Sequence, residues 1–423
     1  MTSEMYFHRY LRGFLAARKG RRLLLLTGAR QTGKTTLIRA TWPRMTYLNL
    51  DAPEIRDQVQ DVSSFAWGRD IGNALFDEAQ KEPGIFEKIK YAFDAKEVSF
   101  SVLTGSSQIL LLKQIRESLA GRVVLFELWP LLFAELVSPA QGPPPAPPFL
   151  HTLLATPKGT DVCAERPSRL IGAAFDDLQR AFRHLSLWGG MPALPAIPPE
   201  ERRKWLQDYE YTYLQRDLAD LARINDLQPF RQFQRLAALR TGCLLSYSQL
   251  ARDAGISVDT ARRYLEYLRL SYQAILLPPF HRNLTSSAVK TPKLHWLDIG
   301  LCRSLTGNFG ELTGEMFESL VVAEVYKWVR TAGENAELFF YRTHAGAEID
   351  MLIQTPHGFV GIEAKLTQRP GRADARVMRE VARVLGKEWR GGLVVYRGQK
   401  LEPLGEAGIW AIPFPWLFMP FGG

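Results

Sequence analysis

Short apolar runs of about four to eight residues alternate along the chain with longer stretches in which apolar residues recur at helical spacing. Near the start of the chain the apolar runs predict five strands, at Leu23 to Thr27, Met45 to Asn49, Asn73 to Phe76, Ser99 to Thr104 and Val123 to Leu128. Strands that alternate with helices in this way are typical of a parallel sheet. The pattern therefore predicts an α/β domain in the N-terminal third.

Two short helices are predicted further along, between Tyr247 and Leu268. The apolar residues that recur at helical spacing there are Leu250, Ala251, Ala254, Ala261, Tyr264, Leu265 and Leu268. Gly255 can end the first helix and Ser257 can cap the second, so the two helices are joined by a tight turn. The segment from Ala274 to Leu284 could add a β-hairpin, and the whole pattern predicts a winged helix-turn-helix.

A glycine-rich segment follows the first predicted strand directly and reads G-A-R-Q-T-G-K-T-T. Such a turn at the start of a helix directs backbone N–H groups and the positive helix end toward phosphate oxygens. Lys34 can reach the β and γ phosphates, and the Thr35 hydroxyl can bind Mg²⁺. The residues that we expect to bind nucleotide are Gly28, Ala29, Arg30, Gln31, Thr32, Gly33, Lys34, Thr35 and Thr36.

An acidic pair, Asp77 and Glu78, ends the third predicted strand in the sequence A-L-F-D-E. Phosphoryl transfer needs one acid near the metal and another group that orients the attacking water. We therefore expect Asp77 to hold Mg²⁺, Glu78 to polarise the water, and the cofactors to be ATP and Mg²⁺. After the fourth strand, T-G-S-S-Q offers Thr104, Ser106 or Ser107 to the same site, and Ser106 is the preferred candidate; capping of the next helix is the alternative.

Composition and charge limit the possible functions. The chain has 423 residues, 46% of them apolar, and no apolar run approaches the roughly 20 residues of a membrane span. Because the N-terminus also lacks a secretory pattern, we expect a multidomain cytoplasmic protein without a membrane partner. The three cysteines lie far apart, which indicates neither a disulfide framework nor a zinc site.

The formal net charge of +9 is concentrated around the predicted helix pair, because basic residues outnumber acidic ones between Arg235 and Lys293. A basic surface on a helix-turn-helix favours DNA as the partner, although the module can also be purely structural. The candidate DNA-contacting residues are Arg252, Thr260, Arg262 and Arg263.

The C-terminal third contains a second set of charged residues, Asp350, Glu363 and Lys365. Two short strands, Glu348 to Ile353 and Val360 to Lys365, would place Glu363 and Lys365 on one face beside Asp350. Two carboxylates could bind a second Mg²⁺ while the lysine positions a water. Glu318, in the helix predicted before these strands, is the preferred additional acid, and Glu324 is the alternative. This is the D…E-x-K arrangement of restriction-endonuclease-like nucleases.

The motifs, taken in order, resemble the prokaryotic AAA-type ATPases that end in a domain of unknown function. They are T-G-A-R-Q-T-G-K-T, L-F-D-E-A-Q, L-T-G-S-S-Q, S-L-A-G-R, G-G-M-P, Y-L-Q-R-D-L and the helix-turn-helix. The resemblance implies an α/β fold with a P-loop parallel sheet, a small helical lid, a winged helix-turn-helix and a C-terminal α/β restriction-endonuclease-like domain. The corresponding residue ranges are 1–137, 168–234, 235–293 and 294–423, with a proline-rich insertion or linker without packed structure at 138–167.

The resemblance also implies roles for residues outside the P-loop. Gly190 and Pro192 resemble the turn with which the lid of related ATPases touches the nucleotide base, and a simple helix-breaking turn is the alternative. Arg122, just before the fifth strand, could act as an arginine finger in a neighbouring subunit, or it could form an ordinary surface ion pair. A finger in trans requires a homo-oligomer, for which a hexameric ring is one arrangement.

Three functions fit these predictions. The preferred hypothesis is an ATP-hydrolysing motor or switch that acts on DNA in recombination, branched-DNA processing, repair or defence. The second is an ATP-regulated, Mg²⁺-dependent DNA nuclease. The third is a signalling or scaffold ATPase with a vestigial nuclease domain and a helix-turn-helix that binds no DNA.

Overall fold

The computed structural model describes residues 7–17, 20–105, 119–138, 143–169, 173–213, 227–281, 291–343 and 345–420. The helices in these ranges are α1 Tyr10–Ala16, α2 Lys34–Thr41, α3 Pro53–Asp61, α4 Trp67–Asp70, α5 Gly84–Asp94, α6 Phe133–Val137, α7 Phe149–Ala155, α8 Ala173–Trp188, α9 Pro199–Tyr213, α10 Gln228–Ala238, α11 Tyr247–Ala254, α12 Val258–Leu270, α13 Ile299–Thr306, α14 Gly314–Ala332, α15 Arg376–Leu385 and α16 Phe414–Phe418. Within the described part of the chain, no helix has the length and apolar character needed to cross a bilayer.

The strands form three sheets. They are β1 Arg22–Thr27, β2 Thr46–Asn49, β3 Ala74–Asp77, β4 Phe100–Gly105, β5 Val123–Glu127, β6 Cys243–Leu244, β7 Ala274–Leu277, β8 Lys293–Trp296, β9 Glu337–Arg342, β10 Glu348–Thr355, β11 Gly358–Lys365, β12 Trp389–Tyr396, β13 Glu402–Pro403 and β14 Ile409–Pro413. The fold is α/β throughout, as the sequence predicted.

The first sheet is parallel and has the strand order β2-β3-β4-β1-β5. The interior strand β1 is buried on both faces, because Leu23 and Leu25 pack into one apolar core and Leu24 and Leu26 into another. All five strands occur within one or two residues of the predicted positions. Their carboxyl ends, with the glycine-rich loop and Asp77, meet at one edge of the sheet.

The second and third sheets lie in the C-terminal two-fifths of the chain. A small antiparallel sheet has the order β6-β8-β7, and a mixed sheet has the order β13-β14-β12-β11-β10-β9. The backbone connects the two, since the amide of Phe280 donates to the carbonyl of Phe340 and the amide of Phe340 donates to Pro278. Helix α14 packs its buried face against both β8 and β11.

The wing differs from its prediction. Strand β7 begins at the expected Ala274, but its partner is Lys293–Trp296 rather than a strand ending at Leu284. The residues from 282 to 290 that connect them lie outside the described ranges. The domain boundary expected at residue 293 therefore falls inside a strand of the small sheet.

The segment 138–167 was expected to lack packed structure, and this expectation was wrong for most of its described part. After the prolines, α7 and the 3₁₀ turn Gly159–Glu165 bury Phe149, Leu150 and Leu153. The amide of Phe149 donates to Met419, and Thr160 donates to the carbonyl of Gly408. The prolines before it indicated a linker, but α7 is an apolar helix that packs against α16 near the end of the chain.

Candidate functional site

The glycine-rich loop turns sharply between β1 and α2. Gly28 has a φ of 154°, and a Cβ there would lie 2.2 Å from the carbonyl oxygen of Leu128. Gly33 has a φ of 92° and directly precedes α2. Both positions therefore require glycine, and the loop backbone wraps around the start of the helix as a phosphate-binding loop does.

Lys34 is the first residue of α2 and is buried. Its ammonium donates to the carbonyl oxygens of Gly28 at 3.0 Å and Ala29 at 2.9 Å. Phosphate oxygens could accept hydrogen bonds from the same ammonium in place of these carbonyls. The loop geometry and this lysine fit a nucleoside triphosphate.

Asp77 joins the residues expected around Mg²⁺. Its Oδ2 accepts hydrogen bonds from the Thr35 hydroxyl at 2.6 Å and the Tyr47 hydroxyl at 2.8 Å, and its Oδ1 accepts one from Thr104. Burial and the hydrogen bond to Asp77 raise the pKa of Tyr47. Sequence reasoning missed Tyr47, which lies on β2 beside the acid-bearing strand. Of the hydroxyl candidates in T-G-S-S-Q, Thr104 contacts Asp77, whereas Ser106 and Ser107 lie outside the described residues.

Glu78 follows in a left-handed backbone conformation with φ of 54°. Its carboxylate accepts a hydrogen bond from the Gln80 side chain at 2.5 Å. A non-glycine residue held in this region is strained, and such strain clusters at functional sites.

Arg9 supports the loop from the N-terminal segment, and no motif indicated it. The guanidinium donates to the carbonyl of Thr32 at 2.7 Å, to the carbonyl of Trp129 at 2.6 Å and to Glu135 at 2.9 Å. Arg9 and Glu135 are both buried. Because a buried ion pair is costly to break, this contact fixes the loop against α6.

The predicted lid turn lies close to the loop, but Gly190 uses both backbone groups on the protein. Its amide donates to Asp298 at 2.7 Å, and its carbonyl accepts from the amide of Leu131 at 2.7 Å. Burial raises the pKa of Asp298. Met191, rather than Gly190, lines a narrow cavity beside the loop. The cavity is also lined by Ala29, Tyr209, Gln234, Tyr272 and Leu301. A contact of Gly190 or Pro192 with the base therefore stays a prediction.

Tyr272 connects the helix-turn-helix to the loop. It follows α12 with a φ of 63°, and its hydroxyl hydrogen-bonds the Thr27 hydroxyl at 2.7 Å. Thr27 directly precedes Gly28. The rings of Trp129 and Tyr272 pack in a T-shaped contact, with centroids 5.2 Å apart.

Arg122 directly precedes β5. It therefore lies at the amino-terminal ends of the strands, whereas the loop lies at their carboxyl ends. Its guanidinium forms a two-pronged ion pair with Asp94 at 2.7 and 2.9 Å. The position excludes contact with the nucleotide of the same subunit. The arginine-finger role therefore stays a prediction that needs a second copy of the chain.

The helix-turn-helix forms as predicted, with Gly255 in the left-handed region after α11 and Ser257 capping α12. The candidate DNA residues Arg252, Arg262 and Arg263 are exposed, and Thr260 is half-buried. The Arg262 guanidinium lies over the Tyr247 ring, and Arg252 lies 3.7 Å from Asp253. One end of α12 thus presents basic side chains to solvent.

The C-terminal charged residues meet at the junction of α14, β8 and the mixed sheet. Lys365 contacts Glu363 at 2.7 Å, the other Glu363 oxygen accepts from the amide of Asp350 at 3.3 Å, and Asp350 Oδ2 accepts from the amide of Ala364 at 2.8 Å. The D…E-x-K set is therefore assembled on paired strands, with Glu318 beside it. Glu324 instead contacts Lys327 and accepts from the amide of Phe133.

Among the described residues, Glu318, Glu348 and Asp350 each place one carboxylate oxygen within 4.8 Å of the others. Binding of Mg²⁺ by Asp350 and Glu363 stays a prediction. Sequence reasoning missed Glu348, which precedes Asp350 by two residues on β10. It also counted Lys293 in the basic surface, whereas the structure buries that side chain among the carboxylates. We call Glu318, Glu348, Asp350 and Lys293 the acidic cluster.

The electrostatics of the acidic cluster reflect burial. Burial and the charge of Asp350 raise the pKa of Glu318 to about 9, and burial also raises the pKa of Asp350. Burial opposes the charge on Lys293, but the charges of the carboxylates outweigh it and raise the pKa of that ammonium. Near neutral pH the cluster therefore contains a lysine cation, and burial favours the protonated form of Glu318.

Comparison with protein families divides the chain into three matched parts. Residues 20–137 match the AAA domain, residues 179–312 match a domain of unknown function (DUF8612), and residues 313–417 match another domain of unknown function (DUF4143). The first match contains the loop, the Asp77–Glu78 pair and Arg122. The last contains Glu318, the D…E-x-K residues and most of the mixed sheet.

Similar proteins include an uncharacterised protein of Mycobacterium tuberculosis, 28% identical over 92% of this chain and 80% of the relative. An uncharacterised protein of Methanocaldococcus jannaschii is 24% identical over 72% of this chain and 63% of the relative. Among solved structures, a Walker-type ATPase of Pyrococcus abyssi aligns with a TM-score of 0.41 and 15% identity, over 70% of this chain and 94% of its own. The ORC2 protein of Aeropyrum pernix, in its ADP form, aligns with a TM-score of 0.26 and 14% identity, over 63% of this chain and 84% of its own. The chain therefore combines an AAA domain with a C-terminal domain of unknown function, an arrangement consistent with the AAA-type ATPases that the sequence resembles.

Proposed function

We propose that this AAA-type ATPase hydrolyses ATP with Mg²⁺ and uses the nucleotide state to switch DNA binding by its helix-turn-helix. The observation that supports the coupling most directly is the contact between Tyr272 and Thr27. Helix α12, which presents the basic side chains, ends two residues before this tyrosine. A change in the loop at Thr27 would therefore reach α12 through one hydrogen bond and a short turn.

At the ATP site each residue has a role that its position supports. Lys34 would exchange its two carbonyl partners for oxygens of the β and γ phosphates, and the amides at the start of α2 would bind the same groups. Thr35 and Asp77 would hold Mg²⁺, which supplies charge neutralisation when bound. Glu78 would orient and polarise the attacking water.

On the DNA side, the exposed residues Arg252, Arg262 and Arg263 would contact phosphates or base edges. Thr260 lies at the beginning of α12, where a recognition helix makes its contacts. Phosphate contacts by these arginines would make the affinity fall steeply with salt.

An oligomer follows from the same proposal if Arg122 acts in trans. The arginine would have to leave Asp94, an exposed partner whose ion pair costs little to break. A ring of subunits would then place each Arg122 near the γ phosphate of its neighbour.

The test measures ATP hydrolysis by the full chain with single-strand, duplex, fork and four-way-junction DNA, with particle size recorded alongside. The double variant Arg262→Ala/Arg263→Ala should weaken DNA binding at least about 10-fold and lower the salt slope by about 2. The matched control, Lys158→Ala/Lys400→Ala, removes two exposed cations elsewhere and should leave both quantities unchanged. DNA-independent hydrolysis together with unchanged affinity in the arginine variant would reject the proposal.

A second function, Mg²⁺-dependent DNA cleavage, is favoured by one observation. Asp350, Glu363 and Lys365 lie together on paired strands, with the lysine ammonium at a carboxylate oxygen. In that hypothesis Asp350→Asn abolishes cleavage of duplex, flap or junction DNA. If the unaltered protein cuts none of these three substrates, the nuclease function is excluded and the proposed DNA-binding switch is unaffected.

A further inference from the structure

We propose that the Lys293 ammonium occupies the position of a divalent cation in the acidic cluster, and that Mn²⁺ or Mg²⁺ binds there only when Lys293 withdraws. Exchange of the lysine for a metal ion would then break the ion pairs that connect the small antiparallel sheet to the mixed sheet. This proposal does not depend on ATP binding or DNA binding.

The geometry around Lys293 is that of a bound cation. Its Nζ lies 2.5 Å from Glu318 Oε1 and 3.6 Å from Asp350 Oδ1, and it also contacts Glu348 Oε1. One oxygen from each of the three acids lies within 4.8 Å of the others, a spacing at which a single metal ion could bind all three. A hard divalent cation prefers carboxylate oxygens of this kind, so Lys293 competes with it for the same ligands.

The second observation comes from His295, two residues further along β8. The imidazole is fully buried, Nδ1 pairs with the Ser319 hydroxyl at 3.1 Å, and Nε2 has no hydrogen-bond partner. Nε2 points toward the cluster and lies 3.7 Å from Glu318 Oε1. A buried nitrogen without a partner is costly, and a water on an ion bound by the three acids could satisfy it. Carboxylate ligands suit Mg²⁺ and Mn²⁺.

The position of Lys293 gives the exchange a structural consequence. The lysine is the first residue of β8, where it pairs with Leu277 of the small sheet. The acids belong to α14 and to β10 of the mixed sheet. Replacement of the ammonium by a free ion would keep the acids together but remove the ion pairs that join them to Lys293 of β8. Arg342, which also contacts Glu348, would remain on the mixed sheet.

The test measures Mn²⁺ binding to the full chain without nucleotide, using the electron paramagnetic resonance signal of free Mn²⁺. Lys293→Met removes the competing charge while keeping most of the side-chain volume, and it should bind one Mn²⁺ more tightly than the unaltered protein by on the order of 100-fold. Lys293→Arg keeps the cation and should show no gain. The triple variant Lys293→Met/Glu318→Gln/Asp350→Asn should lose the gain, which assigns the ion to this cluster rather than to the ATP site.

Lys293→Met leaves three buried acids without their cation, so its folding must be followed by circular dichroism. The double variant Lys293→Met/Glu348→Gln lowers the uncompensated charge and retains Glu318, Asp350 and His295. It should also bind Mn²⁺ at least about 10-fold more tightly than the unaltered chain, and Mn²⁺ should raise its Tm. Equal Mn²⁺ affinity in the unaltered chain and in whichever of these variants folds would overturn the proposal. If neither variant folds with or without Mn²⁺, the lysine is a structural cation that no ion replaces, and the proposal is equally wrong.

Discussion

Lys34 and Lys293 are both buried lysines, with 6% and 4% of their surfaces exposed, but their partners have opposite character. The Lys34 ammonium is held by two neutral carbonyl oxygens of its own loop. The Lys293 ammonium is held by carboxylates from two other elements. Neutral carbonyl dipoles contact the Lys34 ammonium, whereas carboxyl groups contact the Lys293 ammonium.

The difference indicates which kind of ligand each site can take. Carbonyl dipoles compensate an ammonium only in part, so Lys34 gains when an anion replaces them. Carboxyl groups surround the Lys293 ammonium, so an anion would be repelled there and only another cation can replace the lysine. The partners of a buried lysine thus distinguish a phosphate site from a competed metal site.

The largest expected effect tests the ATP side of this comparison. Glu78→Gln should bind ATP but lower turnover by about 100- to 10,000-fold, because the water loses its base. Lys34→Ala should abolish measurable ATP binding, since the phosphates lose their charge-assisted partner. Equilibrium binding of a fluorescent ATP analogue and a phosphate-release assay measure the two quantities.

The control combines the two lysines. Lys34→Ala placed in the Lys293→Met background should leave the gained Mn²⁺ affinity unchanged, because the two sites share no residue. Continued turnover in Glu78→Gln would remove that residue from the mechanism, and loss of the Mn²⁺ gain would show that the sites are not independent.

A second prediction concerns the support of the loop that holds Lys34. Arg9→Met should lower the free energy of unfolding by about 3–5 kcal/mol, because Glu135 stays buried without its cation and two carbonyls lose their donor. Urea denaturation measures this change. Arg69→Met is the matched control, since Arg69 pairs with Asp70 at an exposed site and its loss should leave the free energy of unfolding nearly unchanged. Equal effects of the two changes would show that Arg9 does not support the loop.

The smallest expected effect tests whether the loop signals to α12. Tyr272→Phe removes one hydroxyl contact and should lower the free energy of unfolding by only about 0.5–1.5 kcal/mol. It should retain ATP hydrolysis and DNA affinity but lose the stimulation of one by the other. Tyr396→Phe removes a comparable buried hydroxyl from the mixed sheet and should keep the stimulation. Full stimulation in Tyr272→Phe would exclude this route of coupling.

Local sequence patterns predicted the ATP side of the molecule well. The loop, the five strands and the position of Asp77 follow from short motifs, because backbone turns, capping and strand burial depend on neighbouring residues. The helix-turn-helix was predicted for the same reason, since Gly255 and Ser257 define its turn locally. The paired arrangement of Asp350 and Glu363 also followed from strand periodicity.

Contacts between distant parts of the chain could not be predicted in this way. Arg9 and Lys293 have no motif, and their partners lie far away in sequence. The basic composition around Lys293 even suggested an exposed position, whereas three acids contributed by other elements stabilise it inside. The apolar helix α7 was missed because its prolines indicated a linker and its packing partners are at the far end of the chain.

The packing of α7 against α16 limits how this protein can be dissected. A fragment beginning at residue 313, where the C-terminal family match starts, would lose Phe149 and Arg166, whose guanidinium donates to the carbonyls of Trp416 and Pro420. Such a fragment would expose the apolar surface that α7 covers and would be prone to aggregate. The same surface could instead accept residues 143–169 supplied as a separate peptide, so that two pieces of the chain would reassemble into one folded unit.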